Sequence, residues 1–387
     1  MSGVGEPFGG RAERRGLWEE TVFYHLHWLG DLGWPAFGAF KAVMLRAVLA
    51  AVFAFVLCLI LGPRLIAFLK SRKCGENTAK KDSLFLQKKH MAKNGTPTMG
   101  GVLLIGATLT AIALFARFDV VFVPMAFFTL LSLMLVGFYD DWIKLTHNKR
   151  DGLSRKEKLF YQFLIGGGMG LLLAWYNEPS NATNIAIPFL DAALWPVLGY
   201  FYVAWASVVM VGTSNAVNLT DGLDGLATLC TISVAVAFGV LAYFSGHAGI
   251  ASHLGVVRIP GAEELTIVCA ALCGACLGFL WFNAHPAEVF MGDTGSLAMG
   301  GLIGLVALCI KQELMLLLIG GIFVVEALSV IIQIYSCKLR NGKRVFLLAP
   351  LHHHFEQKGW DESKIVARFF IVSVLLAVFS IALLRLK

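Results

Sequence analysis

The chain has 387 residues, of which 57% are apolar and 15% charged, and its mean hydropathy is +0.72. Soluble globular proteins carry about 25% charged residues and about 45–50% apolar ones. The composition therefore excludes a soluble multidomain protein, a disordered chain and a disulfide-rich secreted scaffold. It indicates an all-α integral membrane protein with several spans. The formal net charge is +7, but its placement along the chain is more informative than its size.

The first 40 residues differ in character from the rest. Residues 1–16 are polar and rich in glycine, as disordered segments are, whereas 17–40 contain three tryptophans. Because tryptophan is enriched at membrane interfaces, we expect 1–40 to be an N-terminal extension with an interfacial segment. It lacks the apolar core and cleavage site of a signal peptide. Residues 41–387 are predicted to form a single transmembrane domain.

Ten apolar stretches follow, most of them near the roughly 20 residues that a helix needs to cross a bilayer. The predicted spans cover residues 43–69, 98–116, 119–139, 158–176, 194–216, 222–245, 264–283, 296–310, 314–336 and 365–386. Several contain glycine, which membrane helices use for close packing. The sequence therefore predicts about ten transmembrane helices joined by short loops.

Basic residues concentrate in alternate loops between these spans. Eight lie in 70–97, five in 140–157 and six in 337–364, out of 32 in the chain, and the opposite loops carry almost none. Since cytoplasmic loops are enriched in Lys and Arg, these three loops are predicted to be cytoplasmic and both termini to lie outside. No nucleic-acid partner is expected.

Acidic and histidine side chains gather on the same predicted cytoplasmic side, where four segments converge. The segments are Asp140-Asp141, Asn218 to Asp224, Phe290 to Asp293, and His352 to His354. Ionisable groups inside a membrane cost roughly 2.5–3.5 kcal/mol each and therefore mark functional sites. Their convergence predicts an active site on the cytoplasmic face.

The spacing within each segment limits what its residues do. Asp140 and Asp141 point about 100° apart on a helix, which predicts two different roles, and acids at a helix C-terminus need a compensating cation. Residues 218, 221 and 224 form one polar stripe if the segment is helical, or an Asp/Gly turn if it is not. Asp293 fits either an ordinary helix N-cap or a metal carboxylate beside a phosphate-binding helix N-terminus.

The three consecutive histidines point in three directions, which favours hydrogen bonds to phosphates over one shared zinc ion. Clustered carboxylates repel each other without a cation, and Mg²⁺ binds one or two carboxylates together with substrate phosphates. The residues therefore predict a magnesium-dependent enzyme that acts on phosphates at the inner membrane surface, with a lipid as one substrate.

These motifs, together with Gly95 to Gly101 (Gly-Thr-Pro-Thr-Met-Gly-Gly), resemble the polyprenyl-phosphate N-acetylhexosamine-1-phosphate transferases from about residue 40 onward. The 95–101 motif and the histidine loop are similar to the branch that uses UDP-N-acetylmuramoyl-pentapeptide, rather than the branch that transfers N-acetylglucosamine phosphate. The resemblance implies that undecaprenyl phosphate attacks the β-phosphate, giving lipid I and UMP for peptidoglycan synthesis. It also implies Mg²⁺, the bacterial cytoplasmic (inner) membrane, and a homodimer among the expected assemblies.

The resemblance further implies roles for individual residues. The catalytic set is Asp140, Asp141, Asp293 and His352, with Asp293 as the Mg²⁺ ligand. Asp140 acts as the base on the lipid phosphate or as its positioning group, and a covalent aspartate route stays open. The substrate-binding set is Lys93, Thr98, Lys144, Lys156, Asn218, Asp221, Gly222, Leu223, Asp224, Asn283, Phe290, His353 and His354.

A secondary transporter is the main alternative from another class. Transporters bind their substrate near the bilayer midplane and often contain internal repeats. Here the motifs lie at one interface, and the two halves of the sequence show no repeat. The one acid in the middle of a predicted span, Glu326, is interpreted as hydrogen-bonded inside the helix bundle with no chemical role.

Overall fold

The computed structural model describes Tyr24 and residues 35–72, 95–146, 152–176, 183–188, 190 and 194–384. Within these ranges the chain is helical, and the bridge between Asn184 and Val197 is an isolated one outside any strand. Most of the predicted N-terminal extension, including its tryptophans, lies outside the described residues, and so does Lys93.

Ten helices of 15 to 29 residues make up most of the described chain. They are α1 (Val43–Ser71), α2 (Gly101–Phe115), α3 (Phe122–Thr146), α4 (Arg155–Tyr176), α5 (Phe201–Thr220), α6 (Leu226–Gly246), α7 (Glu264–Asn283), α8 (Asp293–Cys309), α9 (Gly321–Leu339) and α10 (Glu362–Leu383). Four short helices cover Pro35–Lys41, Ala248–Leu254, Leu316–Ile319 and Leu351–Gln357.

Seven of the described helices are long and apolar enough to cross a membrane, namely α1, α3, α4, α6, α7, α9 and α10. Helices α2 and α8 are apolar but have only 15 and 17 residues. Helix α5 has 20 residues but carries several hydroxyl and amide side chains. The all-helical architecture with many apolar spans is that of an integral membrane protein.

Helix α8 lies at the centre of the bundle, and every residue from Thr294 to Cys309 is buried. It packs between α3 and α5, while α7 packs against α1 and α6. A helix that is apolar on all sides belongs in the interior of a bundle. In contrast, α1, α4, α9 and α10 expose rows of large apolar side chains, as helices that face lipid do.

Two glycine contacts bring three helices together at the first turn of α8. Gly137 of α3 lies against the backbone of Asp293, and Gly101 of α2 lies against Gly295. A Cβ atom at either glycine would overlap the backbone of α8. Since only glycine permits this approach, the N-terminus of α8 is held close to both neighbours.

A buried ion pair joins the other end of the bundle. Arg46 of α1 donates two hydrogen bonds to the carboxylate of Glu264 at the start of α7, with N–O distances of 2.6 and 2.8 Å. The Arg46 guanidinium also donates to the carbonyl of Phe115 at 3.0 Å, and the amide of Arg117 donates to Glu264 at 3.1 Å. Both charged side chains are about 1–2% exposed, so their charges are satisfied by each other and by the end of α2.

The structure departs from the predicted spans in three places. Helix α3 continues to Thr146 instead of ending at 139, because Lys144 compensates the acids in its last turns. Helix α5 begins at Phe201 instead of 194, since the preceding residues form the bridge at Val197. The predicted span 314–336 is divided at Gly320 into the short helix Leu316–Ile319 and α9.

Candidate active site

Three carboxylates meet where α3 packs on the first turn of α8. One oxygen each of Asp140, Asp141 and Asp293 lies within 4.8 Å of the others. Asp140 and Asp141 are buried, and the Asp293 side chain is 14% exposed. The approach of Gly137 to the Asp293 backbone sets the separation of the two helices, and therefore the spacing of the three acids.

Two lysines neutralise this cluster. The Lys144 Nζ lies 2.6 Å from Asp140 and 2.8 Å from Asp293, and the Lys158 Nζ lies 2.7 Å from Asp293 and 3.3 Å from Asp140. Asp293 precedes the apolar part of α8. The two ammonium groups compensate the negative charges of Asp140 and Asp293.

The adjacent acids Asp140 and Asp141 share the Lys144 ammonium group, at 2.6 and 3.7 Å, but their hydrogen-bond partners differ, as expected for neighbours on a helix. Asp140 faces the two lysines, and its Oδ1 accepts a hydrogen bond from the Leu153 amide at 2.9 Å. Asp141 accepts hydrogen bonds from the Thr294 amide at 3.0 Å and the Thr294 hydroxyl at 2.7 Å. It also accepts one from the Asp293 amide at 3.3 Å.

Asp141 therefore caps α8 from outside that helix. Residue Gly292, at the N-cap position, offers no side-chain acceptor to the exposed amides of the first turn. A carboxylate at a helix N-terminus satisfies these amides and interacts favourably with the helix dipole. Gly292 has a φ of 73°, and a Cβ there would lie 2.6 Å from the Asp141 carboxylate. Both its backbone conformation and the space around it require glycine.

Asn218 closes the cluster from the side of α5. Its Nδ2 donates to Asp293 Oδ1 at 2.5 Å and to the Ser296 hydroxyl at 2.8 Å. Helix α5 ends at Thr220, so 221–225 form a turn and the polar stripe that a helix would give does not form. The polar residues of this motif lie together at the end of α5, but Asn218 and Asp224 contact different neighbours.

Asp224 belongs to a second polar group beside this turn. Its carboxylate lies 2.9 Å from His285 Nδ1 and accepts from the Ala287 amide at 3.2 Å. The Asp224 amide donates to Glu362 at 2.8 Å. One ligand-type atom each of Asp224, His285 and Glu362 lies within 4.8 Å of the others. These contacts join the α5–α6 turn to the start of α10.

The other predicted nucleotide-binding residues surround the same region. The Phe290 amide donates to the Pro97 carbonyl at 2.8 Å, and Gly100 donates to the Phe290 carbonyl at 2.8 Å. These bonds place Thr98 beside Gly292. Asn283 is buried and bonded to the Gly225 amide, the Thr228 hydroxyl and the Val289 carbonyl, so it holds the turn in place. Leu223 is buried in the core.

The three histidines each have a separate partner. His352 lies on Glu326, with Nδ1 to Oε2 at 3.2 Å, and His353 lies on Glu356, with Nδ1 to Oε2 at 2.6 Å. The His354 Nδ1 accepts from the Leu347 amide at 3.1 Å. Partial burial and the nearby Lys358 lower the pKa of His354. Neither carboxylate-rich cluster found in the described residues includes these histidines.

Sequence reasoning missed Lys158, and it assigned no role to His285 and Glu362, which the structure places beside Asp224. It selected Lys156, which is exposed and has no contact with the three acids among the described residues, whereas Lys158 contacts two of them. The two lysines differ by two positions on α4, and only the packing of that helix decides which one points inward. Glu326 was expected to be hydrogen-bonded within the bundle, and its contacts with His352 confirm this.

The arrangement provides oxygen ligands for a hard divalent cation and fixed ammonium groups for phosphates, at one end of a membrane helix bundle. Comparisons with known proteins identify a family of transferases. Residues 123–311 match the family model of glycosyl transferase family 4, and residues 93–105 match the first phospho-N-acetylmuramoyl-pentapeptide-transferase signature.

Curated relatives cover almost the whole chain. Phospho-N-acetylmuramoyl-pentapeptide-transferases from Desulfotalea psychrophila and Syntrophus aciditrophicus are both 43% identical over 366 residues, which is 95% of this chain and the full length of each relative. The transferase of the same name from Maridesulfovibrio salexigens is 42% identical over 91% of this chain and 96% of its own length. The chain therefore belongs to the phospho-N-acetylmuramoyl-pentapeptide-transferase family.

Proposed function

We propose that the chain transfers phospho-N-acetylmuramoyl-pentapeptide from UDP-N-acetylmuramoyl-pentapeptide to undecaprenyl phosphate, giving lipid I and UMP in peptidoglycan biosynthesis. The 43% identity to transferases of that name, over 95% of this chain, supports this function. In the reaction, an oxygen of the lipid phosphate forms a bond to the β-phosphorus of the nucleotide substrate. The bond from that phosphorus to the bridging oxygen breaks, and UMP leaves with this oxygen.

The three clustered carboxylates fit Mg²⁺, because this ion prefers oxygen ligands and binds one or two carboxylates together with substrate phosphates. Asp293 would hold the ion, with Asp140 and Asp141 beside it. The bound ion supplies positive charge that stabilises the phosphates as negative charge develops on them.

Lys144 and Lys158 support the same proposal, since their ammonium groups lie on the acids where the phosphates of both substrates would meet. Catalysis of phosphoryl transfer depends mainly on positioning and on charge stabilisation. The lipid phosphate has a second pKa of about 6 and is largely ionised at neutral pH. A strong base is therefore not required, and we assign Asp140, which lies on both lysines, to positioning.

We assign nucleotide and diphosphate binding to the residues around the α5–α6 turn and the Phe290 segment. Phe290 is half-buried and suits stacking on a uracil ring. The set is Thr98, Asn218, Asp221, Gly222, Leu223, Asp224, Asn283 and Phe290, to which the family resemblance adds Lys93. The histidines at 352–354 complete the site from the short helix Leu351–Gln357, with His352 in the catalytic set.

In the membrane, we propose ten spans formed by α1 to α10, both termini outside and the site at the cytoplasmic face of the inner membrane. The alternate basic loops support this orientation. Residues 41–387 would form one catalytic domain preceded by the extension 1–40. The proposed assembly is a homodimer.

The test is UMP release by the full chain in nanodiscs. Undecaprenyl phosphate would be supplied with UDP-N-acetylmuramoyl-pentapeptide or with UDP-N-acetylglucosamine, each with and without Mg²⁺. We expect release only with the muramoyl substrate and the metal, and loss of release in Asp293→Ala with normal membrane insertion.

Each other outcome contradicts a defined part of the proposal. UMP release with UDP-N-acetylglucosamine but not with the muramoyl substrate would overturn the assigned substrate and leave the transfer reaction itself in place. Release without Mg²⁺ would overturn the metal assignment. Absence of release from a well-folded sample would overturn the function.

A further inference from the structure

Glu326 is a buried acid in the interior of a membrane helix, and both of its carboxylate oxygens are directed at one residue. It lies on α9, a candidate membrane span, and its side chain is 0% exposed. Oε1 accepts from the His352 backbone amide at 3.1 Å, and Oε2 lies 3.2 Å from the His352 Nδ1. An acid at this depth is costly unless it is paired, so a two-point contact to a single histidine is a specific arrangement.

The opposite edge of the His352 ring faces the α5–α6 turn. The ring is fully buried, and its Nε2 has no hydrogen-bond partner among the described residues. A Cβ on Gly222 would overlap Nε2. The φ of Gly222 is not in the left-handed region, so its backbone would accept alanine, and the missing side chain serves to make room for the ring.

This geometry determines the protonation of the imidazole. A carboxylate only accepts hydrogen bonds, so an ionised Glu326 requires the proton of the shared hydrogen bond to be on Nδ1. The bond made by one ring nitrogen decides the state of the other. In the neutral ring this leaves Nε2 as the acceptor, and Nε2 faces the turn that carries Asp221 and Asp224.

We infer that Glu326 is a positioning residue for the transferase reaction, which holds His352 with Nδ1 protonated and Nε2 directed at the Gly222 turn. Its role in catalysis rests on the proposed function, which places the nucleotide diphosphate beside this turn. Glu326 itself contacts neither substrate, and it acts through the orientation and tautomer of His352.

The variant Glu326→Gln tests this inference with almost no change in side-chain size. Glutamine has one acceptor and one donor where glutamate has two acceptors. If its oxygen keeps the His352 amide, its NH₂ group faces Nδ1 and drives the ring proton to Nε2. We expect kcat to fall by at least about 10-fold, while KM for the nucleotide changes less than about threefold, because an orienting contact acts on the reacting complex.

A second readout reports on the ring itself. In the ¹⁵N spectrum of the histidine-labelled full chain, the His352 signals, assigned by their absence in His352→Ala, should change from the Nδ1–H to the Nε2–H pattern in Glu326→Gln. The matched control is Glu356→Gln, which changes the partner of His353 and should leave His352 in the Nδ1–H pattern. An unchanged tautomer in Glu326→Gln, or a kcat within threefold of the wild type, would overturn the inference.

The Gly222 contact gives an independent test by thermal unfolding. Gly222→Ala should lower the unfolding midpoint in the wild type but not in a His352→Ala background, where the space is free. Equal shifts in both backgrounds would overturn the packing of His352 on the turn. If the wild type releases no UMP, the proposed function fails, while the spectra and midpoints still decide whether Glu326 orients His352.

Discussion

The substitution Asn218→Asp tests the electrostatic design of the carboxylate cluster. The Asn218 Nδ2 donates to Asp293 at 2.5 Å, and aspartate has nearly the same shape but no donor. A hydrogen bond to a charged group contributes about 1.5–3 kcal/mol. Two carboxylates about 4 Å apart also repel by about 4 kcal/mol at an effective dielectric constant of about 20.

Lys144 and Lys158 would offset part of this repulsion, since both lie on Asp293. We therefore expect a net loss of about 3–4 kcal/mol, which corresponds to a roughly 100- to 1000-fold lower rate. The assay is the initial rate of UMP release by the full chain in nanodiscs, with the thermal unfolding midpoint measured on the same sample.

The matched control is Asn215→Asp, one turn earlier on α5. The Asn215 amide donates to Gln162 at 2.9 Å and to the Val211 carbonyl at 2.8 Å, and neither of these partners is acidic. Its rate per folded molecule should stay within about threefold of the wild type. A rate within threefold for Asn218→Asp itself would refute the reasoning, because the added charge would then be tolerated beside Asp293.

Three further predictions concern other contacts. Glu264→Gln leaves the buried Arg46 uncompensated and should destabilise the chain by about 3–5 kcal/mol in detergent unfolding, whereas a double leucine replacement of both should recover most of the loss. Lys158→Met should slow single-turnover UMP formation by at least about 10-fold through lost charge-assisted bonds, and Lys156→Met by less than about twofold; equal effects would contradict the inward placement of Lys158. Asp141→Ala removes the acceptor of three hydrogen bonds at the start of α8 and should lower stability by about 2–4 kcal/mol. Asp141→Asn should lose about half as much stability as the alanine variant, as measured by thermal unfolding. An unchanged midpoint for the alanine variant would show that α8 needs no cap.

Apolar run length identified the helices well, because each long run had to form a membrane-compatible helix. The ends were less predictable where a tertiary contact decides them. Helix α3 extends to Thr146 since Lys144 can reach both Asp140 and Asp293. The second partner comes from a helix about 150 residues later, and no local pattern contains it.

The candidate site likewise has features that the local sequence predicts and features that only tertiary contacts decide. Residue types and spacing indicated Asp140, Asp141, Asp293 and Asn218, and the structure brings all four together. They did not reveal that Asp141 caps α8, because its partner amides belong to a distant segment. The choice between neighbouring lysines on α4 likewise depends on the rotation of one helix against another.

Glu326 illustrates a different limit. The cost of a buried acid predicts that it has a partner, but not which one. Its partner, His352, follows a connection that leaves α9 and returns through the short helix Leu351–Gln357. The burial of Glu326 therefore predicted a hydrogen-bond partner, but only the fold identifies that partner as His352.

The contact of Gly137 with the Asp293 backbone allows the surroundings of the site to change in evolution while the spacing of its acids stays fixed. Because the distance between the acids is set where one main chain touches another, repacking of side chains elsewhere in the bundle leaves that distance nearly unchanged. Substrate preference can then diversify in the connections around the site, while the three acids keep their spacing. Lineages could in this way alter the sugar or peptide that they accept without rebuilding the machinery that acts on the phosphates.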